Sequence, residues 1–534
     1  MIKQMIFFAI VFFVTFSINV ANAQVASGKK ILYIPIDNRP CNLKQTVEVA
    51  EKLGYEVLTP TEELLGTGSA ADNFGKPEEL WTWLNDNAAG VQAAVISSDA
   101  MIYGSLIGSR QHNLSAEEIL NRAEKFQQLK KNFPYLPTYV FGTIMRTPRM
   151  GAANSNLEPE YYREYGTAFF EYSALKDKQE TSKLTRAEEK NLAWLDYYLP
   201  KEFQTDWFAR REKNLNANKY FVDLVRSGQL EYFLVGRDDN APFSQTNLES
   251  RHLLEYAKEL GKTQLQIMDG ADELGMLMIS RAINHDLHEI PFVAVNYNEG
   301  KGGDIVPSYS NEKISASIDG AIFAAGGLPI PAAERADFVV AVNTDYSGKK
   351  FEAMSAKNTL NPRKGTKTFM KILNNLLEKN YPVGIIDIAF SNGADNALME
   401  QMKNQNLQFK VKAYGGWNTA TNSSGFLIGE GVLTRFMDER DIENLLLTRY
   451  FDDWIYQANV RPILSNNLNK ISGEGNAMKL GDKLSATKSL ADELVTDFAK
   501  KNFKLPANSS LKNISVNFTW NRIFESDITF NFDK

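Results

Sequence analysis

A short apolar run that stops on a charged residue recurs along this chain, from Ile31 to Asp37, Ala94 to Asp99, Tyr139 to Arg146, Tyr232 to Arg237, Leu265 to Asp269 and Gly384 to Asp387. Runs of this length, rich in β-branched residues and apolar without alternation, are what a strand buried on both faces requires. Further strands are expected at Tyr55–Leu58, Phe292–Asn296, Phe338–Val342 and Phe409–Ala413. Amphipathic segments of helix length lie between most of them, as at Thr46–Leu53, Ala116–Lys130, Leu248–Leu260, Ile314–Ala325 and Thr366–Lys379. Strand and helix in alternation imply an α/β fold of repeated β-α units with a mainly parallel sheet, barrel-like or doubly wound. Parallel strands share one rim at their C-terminal ends, and the charged residues that close these runs therefore gather where such folds bind ligands.

The pattern divides into a lobe at residues 24–290, built on the first six strands, and a second at 291–435, built on the last four. Residues 151–230 interrupt the first lobe with a charged, aromatic, helical insertion placed where a lid would sit. Residues 436–534 are helical and then end in Ile514–Phe518 and Ile528–Phe532, alternating segments suited to a small antiparallel pair in a C-terminal α+β region. At the other end, Lys3, the apolar run Met5–Phe16 and Ala21-Asn22-Ala23 read as a signal peptide over residues 1–23, which places the mature chain in the periplasm or outside the cell. No later segment is apolar enough for membrane insertion after signal removal. The one cysteine, Cys41, excludes an internal disulfide, so stability must come from burial. A formal charge of −6 argues against nucleic acid as the partner.

Chemistry has to come from carboxylates, because four histidines are too few for a histidine-rich centre and His285 with His288 sits at a helix end. Asp238 and Asp239 are the leading catalytic pair: two adjacent carboxylates cannot both ionise cheaply in a cleft, so one becomes available as a general acid. Beside them, Arg237 can hold an anion or orient an aspartate, and Asn240 offers an amide to a hydroxyl or acetamido group. Asp269 closes the next strand and can face that pair across a small substrate, whereas Asp272 and Glu273 read as first-turn residues favoured by the helix dipole. Asp37 and Arg39 before the Pro40 turn, Asp99 with Tyr103, and Arg146 with Arg149 supply further polar groups to the same rim. On the last two strands Asn392, Asp395, Trp417 and Asn418 offer neutral donors, a carboxylate and a flat face for a sugar ring. Gly261, Lys262 and Thr263 lack the upstream glycine of a phosphate loop, and no cofactor is expected.

Ile34–Pro40, Asp99–Ser105, Arg237–Asn240, Asp269–Glu273 and Gly415–Thr419 together resemble the bacterial family catalogued as domain of unknown function 4127, across nearly all of the mature chain. That resemblance implies an architecture and no mechanism. The paired aspartates also look like those of retaining glycosidases that use the substrate's own acetamido group. The expected function is an exported glycoside hydrolase acting on a small carbohydrate or cell-wall fragment, with Asp239 as acid and either Asp238 or Asp269 as its companion. A metal-dependent hydrolase with Asp37, Asp99, Asp239 and Asp269 around a hard cation is the second reading, and a non-catalytic sugar-binding protein the third.

Overall fold

The computed structural model describes residues 28–68, 73–148 and 157–533; the expected signal segment and Arg149 lie outside them. Six strands, β1 (Lys30–Ile34), β2 (Glu56–Leu58), β3 (Ala93–Ser97), β4 (Thr138–Ile144), β5 (Tyr232–Arg237) and β6 (Leu265–Asp269), form one sheet in the order β2-β1-β3-β4-β5-β6. Five more, β7 (Phe292–Tyr297), β8 (Leu328–Ile330), β9 (Phe338–Asn343), β10 (Val383–Asp387) and β11 (Ala413–Gly415), form a second in the order β11-β10-β9-β7-β8. All neighbours in both sheets are parallel. Neither closes into a barrel, so of the two arrangements the repeats allow, the doubly wound one is realised. Read from the β8 edge, the second sheet repeats the order of the first five strands of the first sheet. Each has a switch point, between β1 and β3 and between β7 and β9, where doubly wound sheets open a crevice.

What holds the sheets together is a shared helical layer. Leu274, Met276, Leu277, Met278, Ile279 and Ile283 of helix Leu274–Asp286 are all fully buried, a pattern apolar around the whole circumference rather than along one stripe. Such a helix meets water only near its C-terminal end, at Arg281, His285 and Asp286, and here one side packs on β3 and β4 while the other meets helix Ala420–Gly431, buried along its entire length. The resulting core runs continuously from Tyr33 and Val95 in the first sheet to Val340 and Ile386 in the second. Each large apolar side chain so buried stabilises the fold by about 1.5–3 kcal/mol before entropy is counted. Separate cores cover the outer faces of the two sheets. Among the described residues no helix is long and apolar enough to cross a membrane.

Two strands depart from the sequence expectation. The stretch Phe409–Ala413 enters the sheet only at Ala413, because Asn406 turns the chain at φ +56° and Lys410 N–H bonds back to Leu407 O at 3.0 Å. The short β8 carries Pro329 at its centre, which hides it from strand-reading and confines it to the sheet edge, where it lies. The insertion forms helices Tyr162–Thr181, Arg186–Tyr198 and Lys201–Arg226 around a small core of Tyr162, Phe169 and Trp207. It is rooted at the β4 end by Arg211, which pairs with Glu249 at 2.7 Å and donates to Met145 O and Arg146 O. The terminal strands β12 (Ser510–Asn517) and β13 (Asp527–Asp533) pair antiparallel.

Candidate functional site

The turn after β1 places Asp37 and Arg39 at the first switch point. Arg39 forks between two carboxylates, with Nη2 2.8 Å from Asp37 Oδ2 and 2.6 Å from Asp272 Oδ1. Asn42 Nδ2 also donates to Asp37 at 2.8 Å. The guanidinium lies 4.7 Å over Trp520, whose Nε1 donates to Asn38 Oδ1 at 2.7 Å. Trp520 comes from the segment joining β12 to β13, which also stacks Arg522 on Trp520 and sets Phe524 against Trp417, and Asp527 at the start of β13 pairs with Lys44. The C-terminal end thus packs on the opening turn of the fold.

A second cluster occupies the ends of β3, β4 and β5. Arg110 Nη2 lies 2.5 Å from Asp238 Oδ2, and Arg146 Nε lies 2.6 Å from Glu158 Oε1. Arg146 Nη1 continues to Asp239 Oδ2 at 2.9 Å, which occupies that guanidinium with the protein's own acids. Asp238 is buried, whereas the Asp239 side chain is 28% exposed and its backbone sits at φ +40°, a region costly for a residue with a Cβ. Loss of water and then the Asp238 carboxylate raise the Asp239 pKa, against the pull of Arg146 and Arg110. Asp99 is buried beside this cluster with Oδ2 lacking any hydrogen-bond partner. Burial first, then Asp238, pushes it up to about 7, opposed by Thr143 and Arg110.

Asp269 is more heavily tied. Its Oδ1 accepts from Asn240 Nδ2 at 2.8 Å, and its Oδ2 accepts from Ser310 Oγ at 2.5 Å and Asn311 N–H at 2.9 Å. Arg237 Nε sits 2.6 Å from Asp269 Oδ1, out of line for a hydrogen bond, and its Nη2 reaches Glu312 at 2.9 Å. Ser310, Asn311 and Glu312 follow β7, and Asn418, which donates to Asp272 at 2.7 Å, follows β11. The C-terminal rims of both sheets therefore meet, and the crevice is built from both.

The structure brings Asp37, Arg39, Asp99, Arg146, Arg237, Asp238, Asp239, Asn240, Asp269 and Asn418 onto this rim. Tyr103 lies just behind it, buried and stacked on His112 at 4.8 Å. Asn392, Asp395 and Trp417 stand on the second sheet's own strand ends. Asp395 caps helix Asn396–Asn404 and pairs with Arg363, while Asn343 Nδ2 bridges it to Asp387. Trp417 is 5% exposed, so its ring is covered by protein rather than open to a sugar. Among the described residues no three His, Cys, Asp or Glu side chains converge to hold a metal ion; Asp37, Asp239 and Asp269 each hold partners of their own. Surface cavities of ≈ 430 and ≈ 420 Å³ lie away from the rim, one between helix Leu484–Asn502 and β12, the other among Tyr172, Phe208 and Leu248.

Asp387 and Asp453 are also pushed up to about 7, and Glu430 to about 8, in each case first by burial. These acids with Asp99 keep protons in the fold that an unfolded chain, with carboxyl pKa values near 4, has released. Their contribution is whole below the unfolded values and is lost as pH rises through about 7 to 8, at about 1.4 kcal/mol per pH unit for each proton retained. The melting temperature is therefore expected to be higher near pH 5.5 than near pH 8.5. A thermal melt series at constant ionic strength checks this, and a rise across that interval contradicts it.

Sequence reasoning missed Arg110, Glu158, Ser310, Glu312 and Trp520, none of which ends an apolar run. Asp272, read as a first-turn acid, instead grips Arg39. The family described as a protein of unknown function, DUF4127, matches residues 31–529. The chain belongs to that family. The DUF4127 match begins in β1 and ends in β13, so it takes in both sheets and the segment that carries Trp520. No curated protein matches the chain.

Proposed function

We propose that this protein is an exported hydrolase of glycosidic bonds, with Asp239 as its general acid. The observation that carries the reading is the split within the aspartate pair. Asp238 is buried and paired with Arg110, while Asp239 is reachable from solvent and has its pKa raised, first by burial and then by that neighbour. A carboxyl with a raised pKa, beside a second carboxyl, is the kind of acid that glycoside cleavage needs. Asp269 is spent on Asn240, Ser310 and Asn311, so Asp238 is the better companion. Exposed Tyr309 and Phe243 flank the Asp239 loop, where a ring could stack, and Asn240 N–H donates to Tyr309 O at 3.1 Å. The shared helical layer supports a fixed crevice over a hinged clamp. The purified chain should release the aryl group from at least one aryl glycoside, or cut cell-wall fragments, at the same rate with and without chelator. Failure on the whole panel overturns the reading; activity abolished by chelator moves it to metal-assisted hydrolysis.

A further inference from the structure

Acidic groups outnumber basic ones on the rim, and burial holds part of the excess towards its neutral form. Among its described residues nine carboxyl groups (Asp37, Asp99, Glu158, Asp238, Asp239, Asp269, Asp272, Glu273 and Glu312) face four guanidiniums, Arg39, Arg110, Arg146 and Arg237. Three of the acids are incompletely satisfied as well, and fully buried Glu273 has neither oxygen hydrogen-bonded. Asp99 is 2% exposed and Glu158 4%, and Asp99 Oδ2 and Glu158 Oε2 have no hydrogen-bond partner, although both residues belong to the Arg110 cluster. A buried acceptor without a donor costs about 1–3 kcal/mol, so Glu158 Oε2, and Asp99 Oδ2 once its proton has left, favour N–H or O–H groups over further oxygens. At the mouth the side chains of Asp239 and Glu312 are 28% and 26% exposed, next to the exposed rings of Tyr309 and Phe243. Carboxylates among aromatic faces attract a cation and repel an anion.

We propose that the group taken at this mouth is a protonated amine, so that the substrate, on the glycosidase reading on which this rests, is an amino sugar with an unacylated nitrogen. An ammonium supplies three donors and a full positive charge to a rim short of both. Acetamido assistance at Asp238 calls for the opposite preference, which makes the two alternatives separable. Binding also carries a proton signature. Asp239 faces Asp238, Arg146 and Arg110; Asp99 faces Asp238, Arg110, Thr143 and Tyr103; Glu158 faces Arg110, Arg146 and Tyr162. A cation drawn to this set displaces the proton of Asp99, pushed up to about 7 by burial, and leaves that of Asp239 for the leaving group, so affinity rises with pH towards 7.

Calorimetric titration of the full chain with methyl glucosaminide, methyl N-acetylglucosaminide, methyl glucoside and cyclohexylamine tests the proposal. The glucosaminide should bind at least about tenfold more tightly than either neutral glycoside, with proton release, and the margin should shrink in high salt and in Glu312→Gln. Equal or tighter binding of the acetylated glycoside overturns the inference and leaves the glycosidase reading standing. Cyclohexylamine binding as well as the glucosaminide while both neutral glycosides fail supports the amine site and counts against the sugar. No binding by any of the four overturns both.

Discussion

Asp239→Asn is expected to lose about 10² to 10⁴ in turnover on whichever glycoside the chain cleaves, the range contributed by a general acid, while melting close to the parent protein. The amide keeps the size of the side chain and can still accept from Arg146 through its oxygen, so the strand end need not move. What disappears is the proton. The carboxyl is raised first by burial and then by Asp238, so replacing it with a neutral amide costs the fold little. Asp238→Asn should behave differently: it leaves Arg110 buried without its anion and is expected to melt earlier in addition to slowing turnover. Paired measurements of melting temperature and turnover on both variants decide the matter. Undiminished turnover in Asp239→Asn sinks the general-acid assignment.

Arg39→Ala should be the most damaging single change to stability on the rim, at about 3–5 kcal/mol, the cost of leaving buried charges unpaired. Arg39 is 5% exposed and holds Asp37 and Asp272, both buried, while its plane covers Trp520. Burial already raises the Asp272 pKa against the pull of Arg39, so deleting the guanidinium raises it further. A carboxyl with a raised folded pKa loses stability as pH climbs above its unfolded value near 4, so the deficit against the parent protein must be larger near pH 7.5 than near pH 4.5. Arg39→Lys keeps a charge but not the fork or the stack, and falls between the two. Denaturant unfolding at the two pH values measures both effects; a loss under about 1 kcal/mol, or one independent of pH, shows that water or rearrangement relieves the acids.

Strand ends were legible because burial on both faces writes a continuous apolar run and the first polar residue after it marks the rim. That logic located Asp37, Asp99, Arg146, Arg237 and Asp269 from residue type and position alone. It failed for groups that reach the rim from elsewhere. Arg110 rides on the short helix Leu106–Gln111, Glu158 lies in the insertion just ahead of its first helix, and Ser310 to Glu312 belong to a loop of the other sheet. Their arrival depends on how the two sheets are oriented across the shared helices, which no local pattern encodes. Trp417 was misjudged for a related reason: an aromatic residue in a glycine-rich strand-end loop looks like a platform until Phe524 arrives to cover it.

Trp520 and Asn38 are hydrogen-bonded across 482 positions of sequence. A ribosome releases the first sheet long before it has made the segment that braces Arg39, so the nascent first lobe carries that arginine and its two acids without their aromatic cover. Assembly of the crevice then waits until the segment that carries Trp520 has been made, and chains cut short of it are left with an unfinished site. A short C-terminal deletion, far from every strand-end carboxylate in sequence, reaches the centre of the molecule in space.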